Sequence, residues 1–83
     1  MRLGLLGFGV VGRGVYDLVQ DRSDIEVAKV VCLEDITLPD AEVTRDFNSI
    51  LNDDTIDTVV EAMGGLQPAY EFVRAAIEAG KHV

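Results

Sequence analysis

Three glycines near the amino end have the spacing of a phosphate-binding turn. Gly7, Gly9 and Gly12 form a G-x-G-x-x-G pattern between a strand-like run and a segment of helical period. In such a pattern, the first glycine allows a tight turn, the second lets a pyrophosphate approach the backbone, and the third lets the helix pack closely on the strand. The N–H groups at the start of the helix then bind the anion. The sequence therefore predicts a diphosphate site here; the alternative is a turn whose glycines serve packing alone.

A carboxylate stands at the end of the second strand-like run, in the stretch CLED. At this place it can accept hydrogen bonds from the ribose hydroxyls of an adenosine, and it would repel a 2′-phosphate. Glu34 is the first candidate for this role and Asp35 the second, and no Arg or Lys stands nearby to neutralise a 2′-phosphate. The sequence thus favours NAD over NADP. The alternative is an ordinary solvated loop acid, because the chain has 15 Asp and Glu residues.

A second glycine-containing turn follows the last complete strand-like run, in VVEAMGGLQP. Gly64 and Gly65 permit a close backbone approach before another helix begins, although a flexible turn would look the same. In an open parallel sheet, ligands lie at the carboxyl ends of the strands where the strand order reverses. We therefore expect this turn to flank the same crevice as the first one. Glu61 either faces that crevice or is a partnered, buried acid.

Strand-like runs alternate with helix-period segments along the chain, which is typical of an α/β layer fold. The second run is apolar nearly throughout, and such runs indicate burial on both faces and parallel pairing. A last helix is expected to open at Pro68. The predicted strands are Arg2–Leu6, Ile25–Leu33, Ala41–Thr44 and Thr58–Ala62, with the start of a fifth at Lys81–Val83; the first two helices are predicted at Val10 to about Gln20 and about Asp46 to Leu51.

The first helix must position the glycine turn, so its buried face matters. Val11, Val15, Leu18 and Val19 have the spacing of one helix face and are expected to pack on the sheet. Gly14 lies inside the helix, where glycine costs about 1 kcal/mol relative to alanine. We interpret it as a position of close packing.

Composition excludes several classes of function. The net charge of −8 and the scattered Lys and Arg residues argue against a nucleic-acid surface. No run reaches the roughly 18 apolar residues that a membrane helix needs. The single Cys32 excludes a disulfide framework and is expected in the core, and no cluster has metal-ligand spacing. We expect a cytoplasmic protein without metal, whose anion site is built from backbone N–H groups.

The segments GLLGFGVVGRGV and ILNDDTIDTVVEAMGGLQPAYEFVRAAIEAGKHV resemble the N-terminal nucleotide-binding region of homoserine dehydrogenase, over all 83 residues. The combination of VVEAMGG, a proline-led helix and AGKHV points to this family above its relatives that act on sugars or aspartate. The resemblance implies NAD(P)-dependent interconversion of L-homoserine and L-aspartate 4-semialdehyde, in threonine and methionine biosynthesis.

The resemblance also implies which residues contact the cofactor. Many members carry an Arg suited to NADP where Leu33 stands here, so this chain departs from that pattern. The family's catalytic residues lie beyond the last residue of this sequence, and none is assigned. With Glu34 added from its place after the second strand, the candidate cofactor-binding residues are Gly7, Phe8, Gly9, Val10, Val11, Gly12, Glu34, Met63, Gly64 and Gly65.

The predicted fold is α/β, a Rossmann-like parallel sheet of order 3-2-1-4-5 with helices on both faces and a truncated last strand. Residues 1–83 are expected to be one truncated NAD(P)-binding domain that lacks the substrate and dimerisation regions. Alone it should be inactive, and it should self-associate through the exposed edge of the fourth strand. The alternatives are a free-standing NAD(H)-sensing or regulatory module, and a scaffold that binds nothing.

Overall fold

Among the described residues, four strands and three helices follow one another in the order that the sequence predicts. The computed structural model describes residues 1–63 and 69–83. Pro68, the predicted start of the last helix, lies outside them, as do Gly64 and Gly65. The elements are β1 (Arg2–Leu6), α1 (Val10–Val19), β2 (Glu26–Val31), β3 (Glu42–Thr44), α2 (Asn48–Leu51), β4 (Thr58–Glu61) and α3 (Ala69–Glu78).

The strands form one parallel sheet in the order β3-β2-β1-β4. Leu6 is in register with Val31 of β2 on one side and with Glu61 of β4 on the other. Val31 in turn pairs with Thr44 of β3. The carboxyl ends of all four strands therefore meet at one edge of the sheet, as predicted for the ligand-binding edge.

The predicted fifth strand is not formed, although its position is right. His82 makes a single parallel bridge to Thr58 on the outer side of β4. The bridge consists of a bond from the Val59 N–H to the His82 carbonyl (2.7 Å) and one from the His82 N–H to the Asp57 carbonyl (2.9 Å). One bridge is too little for a ladder, so the described sheet has four strands.

Apolar side chains are buried on both faces of the sheet, which confirms that helices cover both faces. On the α1 face, Phe8 and Tyr16 pack with side chains from β1 and β2. On the other face, Phe47 and Phe72 stack with ring centroids 4.2 Å apart, and they join α2 and α3 to the sheet. The fully buried large side chains are Leu5, Leu6, Val30, Ile50, Ile56 and Val59.

A half-buried charged side chain, Lys29, lies in the middle of the largely apolar strand β2. Its Nζ donates to the carbonyl (3.0 Å) and to the hydroxyl (2.8 Å) of Ser49. It also lies 3.3 Å from the carboxylate of Asp53. Hydrogen bonds from Thr55 and the nearby ammonium lower the pKa of Asp53 to about 2. This polar cluster ties β2 to α2 and to the loop that leads into β4.

The buried face of α1 differs from the prediction. Val11 and Leu18 are exposed, by 64% and 78%, whereas Gly12 and Tyr16 are buried. The face toward the sheet runs through positions 12, 15, 16 and 19, which is a regular helical stripe. The prediction considered only large apolar residues, so it assigned Val11 and not Gly12 to the buried face. The helix comes closest to the sheet at Gly12.

Gly12 and Gly14 have opposite surroundings within the same helix. A Cβ added at Gly12 would overlap the carbonyl oxygen of Gly7 and lie 3.7 Å from the Cβ of Ala62. A Cβ added at Gly14 would meet nothing within 4 Å. The close-packing interpretation is therefore right for Gly12 and wrong for Gly14.

These surroundings predict opposite effects of the same substitution on stability. Gly12→Ala should lower the free energy of unfolding by about 2 kcal/mol, because α1 must move away from the turn. Gly14→Ala should raise it by ~0.5–1 kcal/mol, because alanine favours the helix and has room. Urea unfolding followed by circular dichroism measures both. Equal effects of the two substitutions would contradict the packing described for Gly12.

Candidate functional site

The turn after β1 is tight, and Gly7 makes it possible. Gly7 has φ +93°, a left-handed conformation that no other type of residue adopts among the described residues. Its N–H donates to the carbonyl of Val31 at 2.8 Å, so the turn is fixed to the end of β2. A Cβ here would also lie 3.1 Å from the carbonyl oxygen of Ala62. The predicted role of Gly7 in the tight turn is confirmed.

Gly9 leaves the outer side of the turn open. It is exposed, and a Cβ built on it would meet nothing within 4 Å. With φ −80° and ψ −149° it immediately precedes the first residue of α1. Protein packing therefore does not require glycine at this position, unlike at Gly12. A bulky group can approach the main chain at Gly9 from the solvent.

The N-terminus of α1 presents backbone N–H groups to this open space. The first bond of the helix runs from the Arg13 N–H to the Gly9 carbonyl (2.9 Å), so helix geometry gives the N–H groups of Val10, Val11 and Gly12 no acceptor. No side chain caps this end, and its first turn contains no acidic residue. No side chain of the cap or first turn therefore compensates the positive end of the helix dipole, which favours an anion there.

The side chains on either side of these N–H groups differ in exposure. Val10 is 93% exposed and Val11 is 64% exposed, so both line the open space. Phe8 is buried and points into the core, where its ring meets Tyr16 edge-on with centroids 5.7 Å apart. The guanidinium of Arg13 lies 5.0 Å from the centre of the Phe8 ring. Only the backbone of Phe8 is therefore available at the candidate site.

The turn after β4 lies beside the turn after β1. Met63 is half-buried, and its Cγ would be 3.0 Å from a Cβ on Gly7, so the two turns are in contact. The Met63 N–H donates to Oε1 of Glu61 at 2.7 Å. Glu61, whose role the sequence left open, is thus a half-buried acid with a backbone partner. Gly64 and Gly65 lie outside the described residues.

The loop after β2 carries the candidate ribose carboxylate. Strand β2 ends at Val31, two residues before the predicted end, and Leu33 is 78% exposed. Glu34 and Asp35 are exposed at the carboxyl edge of the sheet. Cys32 is buried, as predicted, and burial raises the pKa of its thiol. The structure thus brings Glu34 to the predicted edge.

Sequence reasoning missed a cation beside this loop. Arg45 follows β3, and its guanidinium lies 3.4 Å from the carboxylate of Asp35. The Cys32 N–H donates to the carbonyl of Thr44 at 3.0 Å, and this bond aligns the ends of β2 and β3. Arg45, the next residue after Thr44, is thereby brought close to Asp35. The expectation that no Arg or Lys lies near Glu34 and Asp35 is therefore wrong: Arg45 is distant in sequence but contacts Asp35 in the fold. Parallel pairing of β2 with a short β3 was the signal that would have revealed Arg45.

The described residues show no helix with the length and apolar character needed to span a bilayer. The same part of the chain brings no three His, Cys, Asp or Glu side chains together in a metal-binding arrangement.

Comparisons with known proteins agree on one family. The sequence matches the family described as "Homoserine dehydrogenase, NAD binding domain" over residues 7–83. It is 36% identical over 95 residues to homoserine dehydrogenase of Synechocystis sp., with 100% of this chain and 22% of that protein covered. It is also 35% identical over 89 residues to scyllo-inositol 2-dehydrogenase (NADP(+)) of Bacillus subtilis, with 100% and 24% covered.

A solved structure extends the likeness to three dimensions. Homoserine dehydrogenase of S. aureus at pH 7.0 superposes with a TM-score of 0.87 at 31% identity, and the match covers 100% of this chain and 25% of that one. The chain spans about a fifth of the length of the homoserine dehydrogenases it matches. The parallel order β3-β2-β1-β4 and the glycine turn are those of a Rossmann-like domain. The chain belongs to the family of homoserine dehydrogenase NAD-binding domains.

Proposed function

We propose that the domain binds its nicotinamide dinucleotide with the diphosphate against the backbone N–H groups of residues 9–12. The observation that carries this is the uncapped N-terminus of α1 beside the open position Gly9. The diphosphate oxygens accept the hydrogen bonds that helix geometry leaves unmade, and the helix dipole adds a favourable field. Val10 and Val11 then flank the ligand with apolar surface.

A substitution at Gly9 separates ligand binding from folding. Gly9→Val should weaken NADH binding by at least about tenfold, or ~1.4 kcal/mol, because its methyl groups fill the space of the diphosphate. The fold should be kept, because nothing lies within 4 Å of the new Cβ. NADH fluorescence measures the affinity and circular dichroism the fold. Gly14→Ala is the matched control on the same helix, and an unchanged affinity of Gly9→Val would contradict the placement.

The proposed cofactor is NAD rather than NADP, with Glu34 as the acceptor for the ribose hydroxyls. Glu34 is exposed at the ligand edge of the sheet. Arg45, a cation beside the same loop, is paired with Asp35. A 2′-phosphate would have to displace Asp35 from Arg45 and would also be repelled by Glu34. The ribose hydroxyls of NAD meet neither obstacle.

The preference is testable with paired variants of the two acids. NADH should bind more tightly than NADPH. Glu34→Gln should weaken NADH binding by about tenfold, because the amide keeps one acceptor oxygen but loses the negative charge and the second acceptor. Asp35→Asn should leave the NADH affinity unchanged. Isothermal titration of each variant with both nucleotides gives the ratios. An equal or reversed preference in the unmodified chain would remove Glu34 from this role.

The same proposal assigns the domain to a longer oxidoreductase that interconverts L-homoserine and L-aspartate 4-semialdehyde in amino-acid biosynthesis. Its support is the family match and the names of the relatives, of which this chain covers about a fifth. The chain alone is expected not to turn over substrate. The proposed location is the cytoplasm, where a free thiol such as Cys32 stays reduced. The net charge of −8 supports the absence of a nucleic-acid partner.

Self-association through the outer edge of β4 is part of the proposal. The bridge to His82 pairs this edge only at Thr58 among the described residues. Alternation along the strand directs the N–H groups of Val59 and Glu61 away from β1. The Val59 N–H is bonded to the His82 carbonyl, whereas the bridge leaves the Glu61 N–H without a ladder partner among the described residues. An open ladder group of this kind pairs readily with another chain.

Sedimentation velocity over a range of protein concentrations tests this pairing. The unmodified chain should sediment partly as a dimer or larger species. Glu61→Pro removes an outward N–H while the bonds to β1 remain, so it should shift the population toward monomer. A strictly monomeric unmodified chain at every concentration would contradict the proposal.

A further inference from the structure

A hydrogen bond joins α1 to the loop between β2 and β3. The hydroxyl of Tyr16 donates to Oδ1 of Asp40 at 2.5 Å. Tyr16 is 7% exposed on the sheet side of α1, whereas Asp40 lies in the loop just before β3. A short bond from a hydroxyl to a carboxylate is of the strong, charge-assisted type.

Tyr16 also contacts the glycine turn. Its ring packs edge-on against Phe8, the residue between Gly7 and Gly9, at an interplanar angle of 72°. The same side chain thus touches the turn with its ring and the loop with its hydroxyl. Tyr16 therefore connects the glycine turn, which we propose binds the diphosphate, with the loop after β2, which we propose binds the adenosine ribose.

The loop of residues 32–41 takes the place of a crossover helix between two parallel strands. Ile36 and Leu38 are half-buried and pack against the cluster that contains Phe8 and Tyr16. The Ile36 N–H donates to the carbonyl of Glu34 at 3.1 Å, which folds the acidic end of the loop back on itself. Since β3 pairs with only three residues of β2, the sheet itself holds this loop weakly.

The Tyr16 hydroxyl keeps its proton at and above neutral pH. The hydrogen bond to Asp40, burial, and the negative charges of Asp40 and Asp17 raise the pKa of Tyr16 to about 12. The phenol therefore remains a protonated donor at neutral and moderately alkaline pH.

We infer that Tyr16 and Asp40 form a latch that holds the loop of residues 32–41 against α1 and so positions Glu34 for the ribose. The inference rests on the proposed function for its ligand. Tyr16 is a positioning residue, since its side chain is buried and acts on the nucleotide through the loop. In a fold with a crossover helix, that helix would hold the chain that follows β2. Here no helix joins β2 to β3 over residues 32–41, and the latch holds this segment instead.

Tyr16→Phe tests the latch, because it removes the donor and keeps the ring that packs on Phe8. The affinity for NADH should fall about fivefold, less than the full worth of a charge-assisted bond, because the bond acts on the ligand only through the loop. Asp40→Ala should give the same loss, and the double variant should lose no more, because both changes remove one bond. Tyr70→Phe is the matched control, since Tyr70 is 71% exposed on α3.

A second readout follows the loop directly. Hydrogen exchange of the Ile36 amide should become faster in Tyr16→Phe, while the amide of Cys32, bonded to the carbonyl of Thr44, should exchange as before. If the unmodified chain binds NADH and Tyr16→Phe binds it equally well, the latch is refuted. Unchanged exchange at Ile36 would refute it too. If the unmodified chain binds no NADH, the proposed function fails, and the exchange data alone decide whether the latch holds the loop.

Discussion

The close approach of α1 to the turn after β1 is the contact on which the rest of the structure depends. At Gly12 there is no room for even one carbon atom between the helix and the carbonyl of Gly7. This contact fixes the start of the helix beside the carboxyl ends of β1 and β4. The N–H groups at that start then face the edge where ligands of parallel sheets bind. A side chain at Gly12 would move the helix and with it the anion site.

The proposed anion site lies in a chain of net charge −8. Neutral backbone groups supply the attraction at this site. Glu61 accepts the N–H of Met63, Asp35 lies beside Arg45, and the first turn of α1 contains no acid. The field at the helix N-terminus is therefore local and comes from backbone N–H groups. We propose that affinity for a dinucleotide arises from this arrangement and not from the total charge.

The order and type of the elements were predictable because periodicity and apolar runs are local signals. The strand Arg2–Leu6 was predicted with its observed bounds, and the turn at Gly7 was predicted from the glycine spacing together with its place between a strand-like run and a helix. The buried face of α1 was not predictable in the same way, because glycine carries no apolar signal although Gly12 marks the closest contact. Arg45 and Asp40 were missed for a different reason: Arg45 reaches Asp35 through the pairing of β2 with β3, and Asp40 reaches Tyr16 through the approach of the loop to α1. Contacts between residues distant in sequence need the register of the sheet, which the sequence pattern does not specify.

Amide-resolved NMR during a titration with NADH tests the central claim most directly. We expect the largest changes in amide chemical shift at Gly9, Val10, Val11 and Gly12. A second group of shifted amides is expected around Glu34. Amides at the opposite end of the sheet, such as Arg22 and Ser23, should stay unchanged. Saturable changes confined to that opposite end or to α3, with none at residues 9–12, would show that the dinucleotide binds elsewhere and would contradict the account.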